Sequence, residues 1–143
     1  MKMQVISFEA TGEILQLHLA SSAGIFAEQS RVIGLIPDQK EVSELHVTLA
    51  YTSIRAGAGV SLPLTIEVGG SAELVSREDK TSSFLRCTDA SQVALVHYLV
   101  EIEKACGNSF YDPARVFHVS LTNQTGLPRG SIAKVWEYEA RQI

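Results

Sequence analysis

Cysteine, proline and histidine are all scarce in this chain: its 143 residues include two cysteines, four prolines and four histidines. Cys87 and Cys106 are too few for a disulfide scaffold, so stability has to come from a packed core, and the usage points to an intracellular protein. Positive charge is also short. Twelve Lys and Arg stand against sixteen Asp and Glu, for a formal net charge of -4. That balance argues against a surface built to track long duplex nucleic acid, though not against a small anionic ligand. No apolar run approaches the roughly 20 residues that span a bilayer. Glu9, Glu13, Gln16 and His18 interrupt any signal-peptide core near the start. The expectation is a cytoplasmic protein without a membrane partner. Linkers and low-complexity stretches are missing too, so residues 1–143 are read as one domain.

What is present is apolar material for a core, 45% of the residues. Met3 to Phe8 reads as a strand, and Glu13 to Ala20 alternates Leu15, Leu17 and Leu19 with Gln16 and His18, completing a hairpin. Ser21-Ser22 caps a helix over Ala23 to Ile33, ended by Gly34. Leu45 to Thr52 and Leu62 to Val68 read as strands around the glycine-rich RAGAG loop. Ala72 to Val75 and Ser83 to Cys87 flank a turn at REDK. The clearest helix is Ser91 to Cys106, capped by Thr88 or Asp89 and stopped by Gly107. Arg115 to Thr122 is a strand, and a short helix is expected to begin near Ser131. The pattern is α+β, with antiparallel hairpins and two substantial helices.

Two of the four histidines lie in one repeated pattern. ELHVTLAYTS and VFHVSLTNQT align without a gap, matching His46 with His118, Val47 with Val119, Thr48 with Ser120 and Leu49 with Leu121. Each copy follows a helix, as two similar half-domains would require. In a strand, residues two apart share a face. His46 and Thr48 therefore point one way, as do His118 and Ser120, while Val47, Leu49, Val119 and Leu121 point into the core. If the halves meet about a pseudo-two-fold axis, two imidazoles and two hydroxyls converge on one atom. This set suits in-line displacement at phosphorus: one imidazole takes a proton from the attacking oxygen, the other gives one to the leaving oxygen. The hydroxyls donate to the non-bridging oxygens as charge builds. Histidine fits because its ordinary pKa allows one ring to be neutral and the other charged near neutral pH.

On HVTL at 46–49 and HVSL at 118–121, the chain resembles the two-histidine (2H, LigT-like) phosphoesterase superfamily. The resemblance implies a bilobal α+β fold, with two antiparallel-sheet lobes, flanking helices and pseudo-two-fold symmetry around a central cleft. It also implies metal-independent hydrolysis of a nucleotide phosphodiester, with no cofactor, by His46, His118, Thr48 and Ser120. The substrate is expected to be a cyclic nucleotide or a cyclic or linear oligonucleotide. Small phage-encoded members of that superfamily destroy cyclic oligonucleotide immune signals, and this chain is similarly compact. A 2′,3′-cyclic phosphodiesterase of RNA ends is the alternative within the class. A sponge that sequesters the nucleotide without turnover, or a structural domain keeping the repeat as a relic, is the alternative outside it.

Tyr51, after the first motif, and Tyr111 with Phe110, before the second, are candidates to stack on a base, against packing at strand ends. Arg55 and Arg129 follow the two motifs at nearly matching places and are candidates to fork a phosphate, against solvated loop arginines. Trp136 is a candidate lid over a ligand, with core packing as the alternative. His18 is expected to be exposed or at the cleft rim, and His97 to pair with Glu101 on a helix surface. No metal-ligand spacing is present, so no metal is expected. RAGAG lacks the Gly-Lys-Ser/Thr ending of a phosphate loop.

Overall fold

The computed structural model describes residues 1–52 and 60–143. The chain is α+β. Strands β1 (Lys2–Thr11) and β2 (Ile14–Leu19) form a hairpin, and helix α1 (Ala23–Leu35) follows. The short β3 (Lys40–Glu41) then leads into β4 (His46–Tyr51) and β5 (Thr65–Glu67). A second hairpin, β6 (Glu73–Arg77) and β7 (Lys80–Arg86), is followed by α2 (Asp89–Cys106), β8 (His118–Asn123) and β9 (Arg141–Gln142). All pair antiparallel in one nine-stranded sheet of order β5-β1-β2-β4-β8-β7-β6-β9, with β3 alongside β8.

That order contains the same unit twice. Apart from the two-residue β3, which lies between α1 and β4 and pairs with β8, hairpin, helix, strand, strand is β1-β2-α1-β4-β5 in the first half and β6-β7-α2-β8-β9 in the second, and the two units run outward from a shared β4–β8 seam. The halves are thus two sides of a continuous sheet. The seam is registered through Val47 opposite Val119.

Alternation along the two seam strands decides which face is covered. Val47, Leu49, Val119 and Leu121 are fully buried. They pack with Ile25 and Val32 of α1 and Leu95, Leu99 and Ile102 of α2 in the main core. Burying each such side chain stabilises the fold by about 1.5–3 kcal/mol. The helices start where capping chemistry permits. Ser22 Oγ accepts from the Ile25 N–H at 3.3 Å and Thr88 Oγ1 from the Ser91 N–H at 3.3 Å. Gly107 ends α2 at φ +71°, a left-handed conformation that other residues adopt at a cost. Among the described residues no helix is long and apolar enough to cross a membrane.

Several boundaries differ from expectation. Helix α1 runs through Gly34 to Leu35, because the Ile36 N–H still bonds back to Val32 O at 2.8 Å. The strand expected over Leu62 to Val68 shrinks to Thr65–Glu67, since only that stretch pairs with β1 apart from a lone Val68–Cys87 bridge. The second motif strand begins at His118 rather than Arg115. The helix expected from Ser131 is replaced by two single 3₁₀ turns, Pro128–Gly130 and Val135–Glu137. Ser131 itself receives a hydrogen bond from the Asn123 side chain at 2.9 Å, which holds it in the loop.

Candidate functional site

The open face of the β4–β8 seam forms the floor of a cleft of about 660 Å³. His46, Thr48, His118 and Ser120 all line it, as their shared parity on the strands requires. Continuing the Val47–Val119 register sets His46 across from Ser120 and Thr48 across from His118. The two imidazoles are therefore diagonal neighbours, on backbone positions about 7–8 Å apart. A wider, more open hollow of about 750 Å³ lies between residues 60–63 and α2, but it contains a single histidine, His97.

The tautomers follow from backbone geometry. His118 Nδ1 lies 3.0 Å from the Val116 carbonyl and His46 Nδ1 lies 3.5 Å from the Glu44 carbonyl, two residues upstream in both cases. A carbonyl only accepts, so Nδ1 carries the proton in each neutral ring and Nε2 is the basic nitrogen. Gln92 on α2 reinforces the second motif. Its amide donates to Phe117 O at 2.8 Å and accepts from Phe117 N at 2.9 Å, imitating a neighbouring strand just ahead of His118.

The two rings sit in different surroundings. His118 is 8% exposed, with its ring edge-on to Phe84 at 5.4 Å. Burial, together with the charges of Arg115, His46 and Arg86, pushes its pKa down to about 4, against the opposing pull of the Val116 carbonyl. His46 is half-buried, and burial lowers its pKa as well, helped by His18. The Glu44 carbonyl and the carboxylates of Glu44 and Glu9 work the other way. His18 lies directly across from His46 on β2. Its Nε2 is bonded to the Glu9 carboxylate, which also accepts from Thr11 Oγ1 at 3.1 Å. It is half-buried and lines a shallow pocket beside the cleft, while Glu9 lines the cleft itself.

Of the other residues singled out in the sequence, Tyr51 and Arg129 also line the cleft, both with exposed side chains. Tyr111 does not. It packs against the main core, and its N–H donates to the Glu103 carboxylate at 3.1 Å. Trp136 is likewise outside the lining, packed on a second apolar cluster of Val75, Phe84, Ile132 and Val135. Arg55 lies outside the described residues. His97 is exposed, and the ion pair made by Glu101 is with Lys104 at 3.4 Å. Cys87 is buried, which pushes its thiol up to about 12 and leaves no thiolate for nucleophilic work. Among the described residues no three His, Cys, Asp or Glu side chains converge as metal ligands would.

One wall of the cleft depends on a residue that sequence reading passed over. Asn123, fully buried at the end of β8, donates to Leu127 O at 2.7 Å and Ser131 Oγ at 2.9 Å. Its Oδ1 accepts from the N–H groups of Thr125 and Gly126 at 3.0 and 2.6 Å. These bonds fold the segment that carries Leu127, Pro128, Arg129 and Ser131 against the histidines. The available signal was Asn-Gln-Thr-Gly, in which an Asn side chain captures the backbone two and three residues on. Gly126, at φ +75°, is needed in that turn, since a Cβ there would come within 3.1 Å of Glu41 O.

No protein-family model matches this chain, and no curated protein or solved structure is similar enough to count as a relative.

Proposed function

We propose that the protein is a phosphodiesterase of the two-histidine type, bilobal in the sense of two like halves flanking one cleft, that hydrolyses a small nucleotide phosphodiester without a metal. The observation that carries the reading is the pairing of His46–Thr48 with His118–Ser120 on the open face of the β4–β8 seam. In that arrangement His118 Nε2 takes the proton from the attacking water as its oxygen bonds to phosphorus. His46, protonated on both nitrogens, gives its Nε2 proton to the departing ester oxygen. The assignment follows the surroundings: burial and then the cationic side chains of Arg115 and Arg86 keep His118 neutral, whereas at the less buried His46 the carboxylates of Glu44 and Glu9 oppose the lowering by burial and so hold the charged form within easier reach. Thr48 and Ser120 donate to the non-bridging oxygens, whose charge grows in the transition state. Solvent then returns both rings to their starting states.

The cleft volume is within the range of pockets that take small ligands. With the acidic net charge, it favours a soluble cyclic nucleotide or short oligonucleotide over duplex nucleic acid, in keeping with a cytoplasmic setting.

The test is incubation with 2′,3′-cyclic phosphates, linear 2′-5′ and 3′-5′ dinucleotides and cyclic di- and trinucleotides, followed by product masses. Cleavage that survives EDTA and falls about 100-fold or more in both His46→Ala and His118→Ala is expected. Full turnover by both variants rejects the reading, and tight binding with recovery of intact ligand identifies a sponge instead.

A further inference from the structure

Arg115 stands just ahead of β8 and is only 9% exposed. Arginine is rarely that buried unless it is paired. Two other arginines do have carboxylate partners: Arg31 makes a bidentate contact with Glu28 and Arg86 one with Glu73. Arg115 has no comparable ion pair among the described residues. Asp112, the nearby acid, instead accepts from the Ala114 N–H at 2.9 Å. Aromatic rings flank the guanidinium, Tyr51 with its centroid at 5.0 Å and Trp136 at 4.8 Å. Among the described residues, Arg115 Nη1 is the one buried side-chain nitrogen or oxygen without a hydrogen-bond partner.

A buried cation between two rings, with Asp112 near but not bonded to it, leaves a donor unsatisfied, at a cost that apolar packing of the same volume would avoid. The location explains why the cost is tolerated. Tyr51 is at once a face of this clamp and a wall of the cleft, and the charge of Arg115 reaches His118. We propose that Arg115 is an anion-binding residue of the cleft, clamped between Tyr51 and Trp136 so that its unpartnered Nη1 donates to a non-bridging phosphate oxygen beside His118. Trp136, seated on the second apolar cluster, is the fixed face of the clamp. Tyr51, 43% exposed, is the face that rotates to admit the phosphate, because Nη1 is covered in the unliganded protein. A guanidinium suits this task, since its planar fork matches phosphate oxygens as an ammonium does not.

The site is the one assigned above to phosphodiester hydrolysis, but anion binding can be read without turnover. Adenosine 3′-monophosphate and adenosine are titrated calorimetrically into wild-type protein, Arg115→Met and Arg115→Lys, and melting temperatures are recorded. Wild-type is expected to prefer the monophosphate. Arg115→Met should lose about tenfold or more of monophosphate affinity with adenosine affinity unchanged, and should melt no lower than wild-type, because an unmatched buried charge is gone. Arg115→Lys, which keeps the charge without the fork, should lose about threefold or more of it, and it decides the matter if Arg115→Met does not fold. Unchanged monophosphate affinity in the variants, a parallel loss of both ligands with a lower melting temperature, or no wild-type preference for the phosphate overturns the proposal. Arg115-dependent binding without cleavage of any diester would retain this inference and reject the hydrolase. Cleavage with an unaltered KM in Arg115→Met would do the reverse.

Discussion

The two halves of the sheet carry the same motif in different company. On the first side, the strand beside His46 and Thr48 presents His18 and Gln16, and the carboxylates of Glu9 and Glu44 stand close by. On the second, the strand beside His118 and Ser120 presents Arg86 and Phe84, with Arg115 and the Trp136 cluster behind. A symmetric pair of histidines is thereby given unequal proton affinities. The difference comes first from deeper burial of His118 and then from the charges around each ring, not from the motif, and the proposed division into base and acid rests on it.

The comparison breaks most visibly if either ring is replaced. His46→Ala and His118→Ala should each cost 10²–10⁴-fold in kcat. In wild-type, kcat/KM should rise through the His118 titration near pH 4 and fall as His46, which burial also holds below the ordinary histidine value, loses its proton, giving an acidic optimum. Each variant should erase its own limb in a pH–rate series.

Next in size is the effect of His118 on stability. Between about pH 6.5 and 4 the unfolded chain binds a proton at this position that the folded protein excludes. Stability from this group is complete above pH 6.5 and is lost as the pH falls to 4, by up to ~3 kcal/mol. Urea denaturation across that range should show the slope, and His118→Gln should flatten it.

The hydroxyls sharpen the comparison further. Under the proposed mechanism, in which each donor acts on charge that develops in the transition state, Thr48→Val and Ser120→Ala should each lower kcat by about 10- to 100-fold with little change in KM. A purely structural hydroxyl would leave kcat alone. The smallest effect is expected from Asn123→Ala, at about 2 kcal/mol in chemical denaturation, because the Thr125 and Gly126 N–H groups lose their acceptor. KM should rise as the Arg129 wall loosens.

Local chemistry was well expressed in the sequence. Alternation placed Val47, Leu49, Val119 and Leu121 in the core, and Ser22, Thr88 and Gly107 bounded the helices as their side chains or backbone freedom dictate. The repeat placed both histidines and both hydroxyls in one cleft. What could not be read depends on distant partners. Strands β3 and β9 are two residues long and exist only because β8 and β6 offer open edges. Arg115 looked like the first residue of a strand, and no local pattern says that rings from Tyr51 and Trp136 will close on it. Trp136 was legible as an unusual side chain near the end of the chain, but its contact with Arg115 was not. Periodicity reports which face a residue takes, not which remote side chain waits there.

The β4–β8 seam carries a further implication. Because the two imidazoles hang from adjacent strands of one hydrogen-bonded sheet, their separation is a ruler of fixed length. No hinge between halves can stretch it without breaking backbone pairing. For the proposed hydrolase the consequence is that the reacting group would be constant, and choice among ligands that share it would fall to the rim, where Tyr51, Leu127 and Arg129 can be exchanged without resetting the distance.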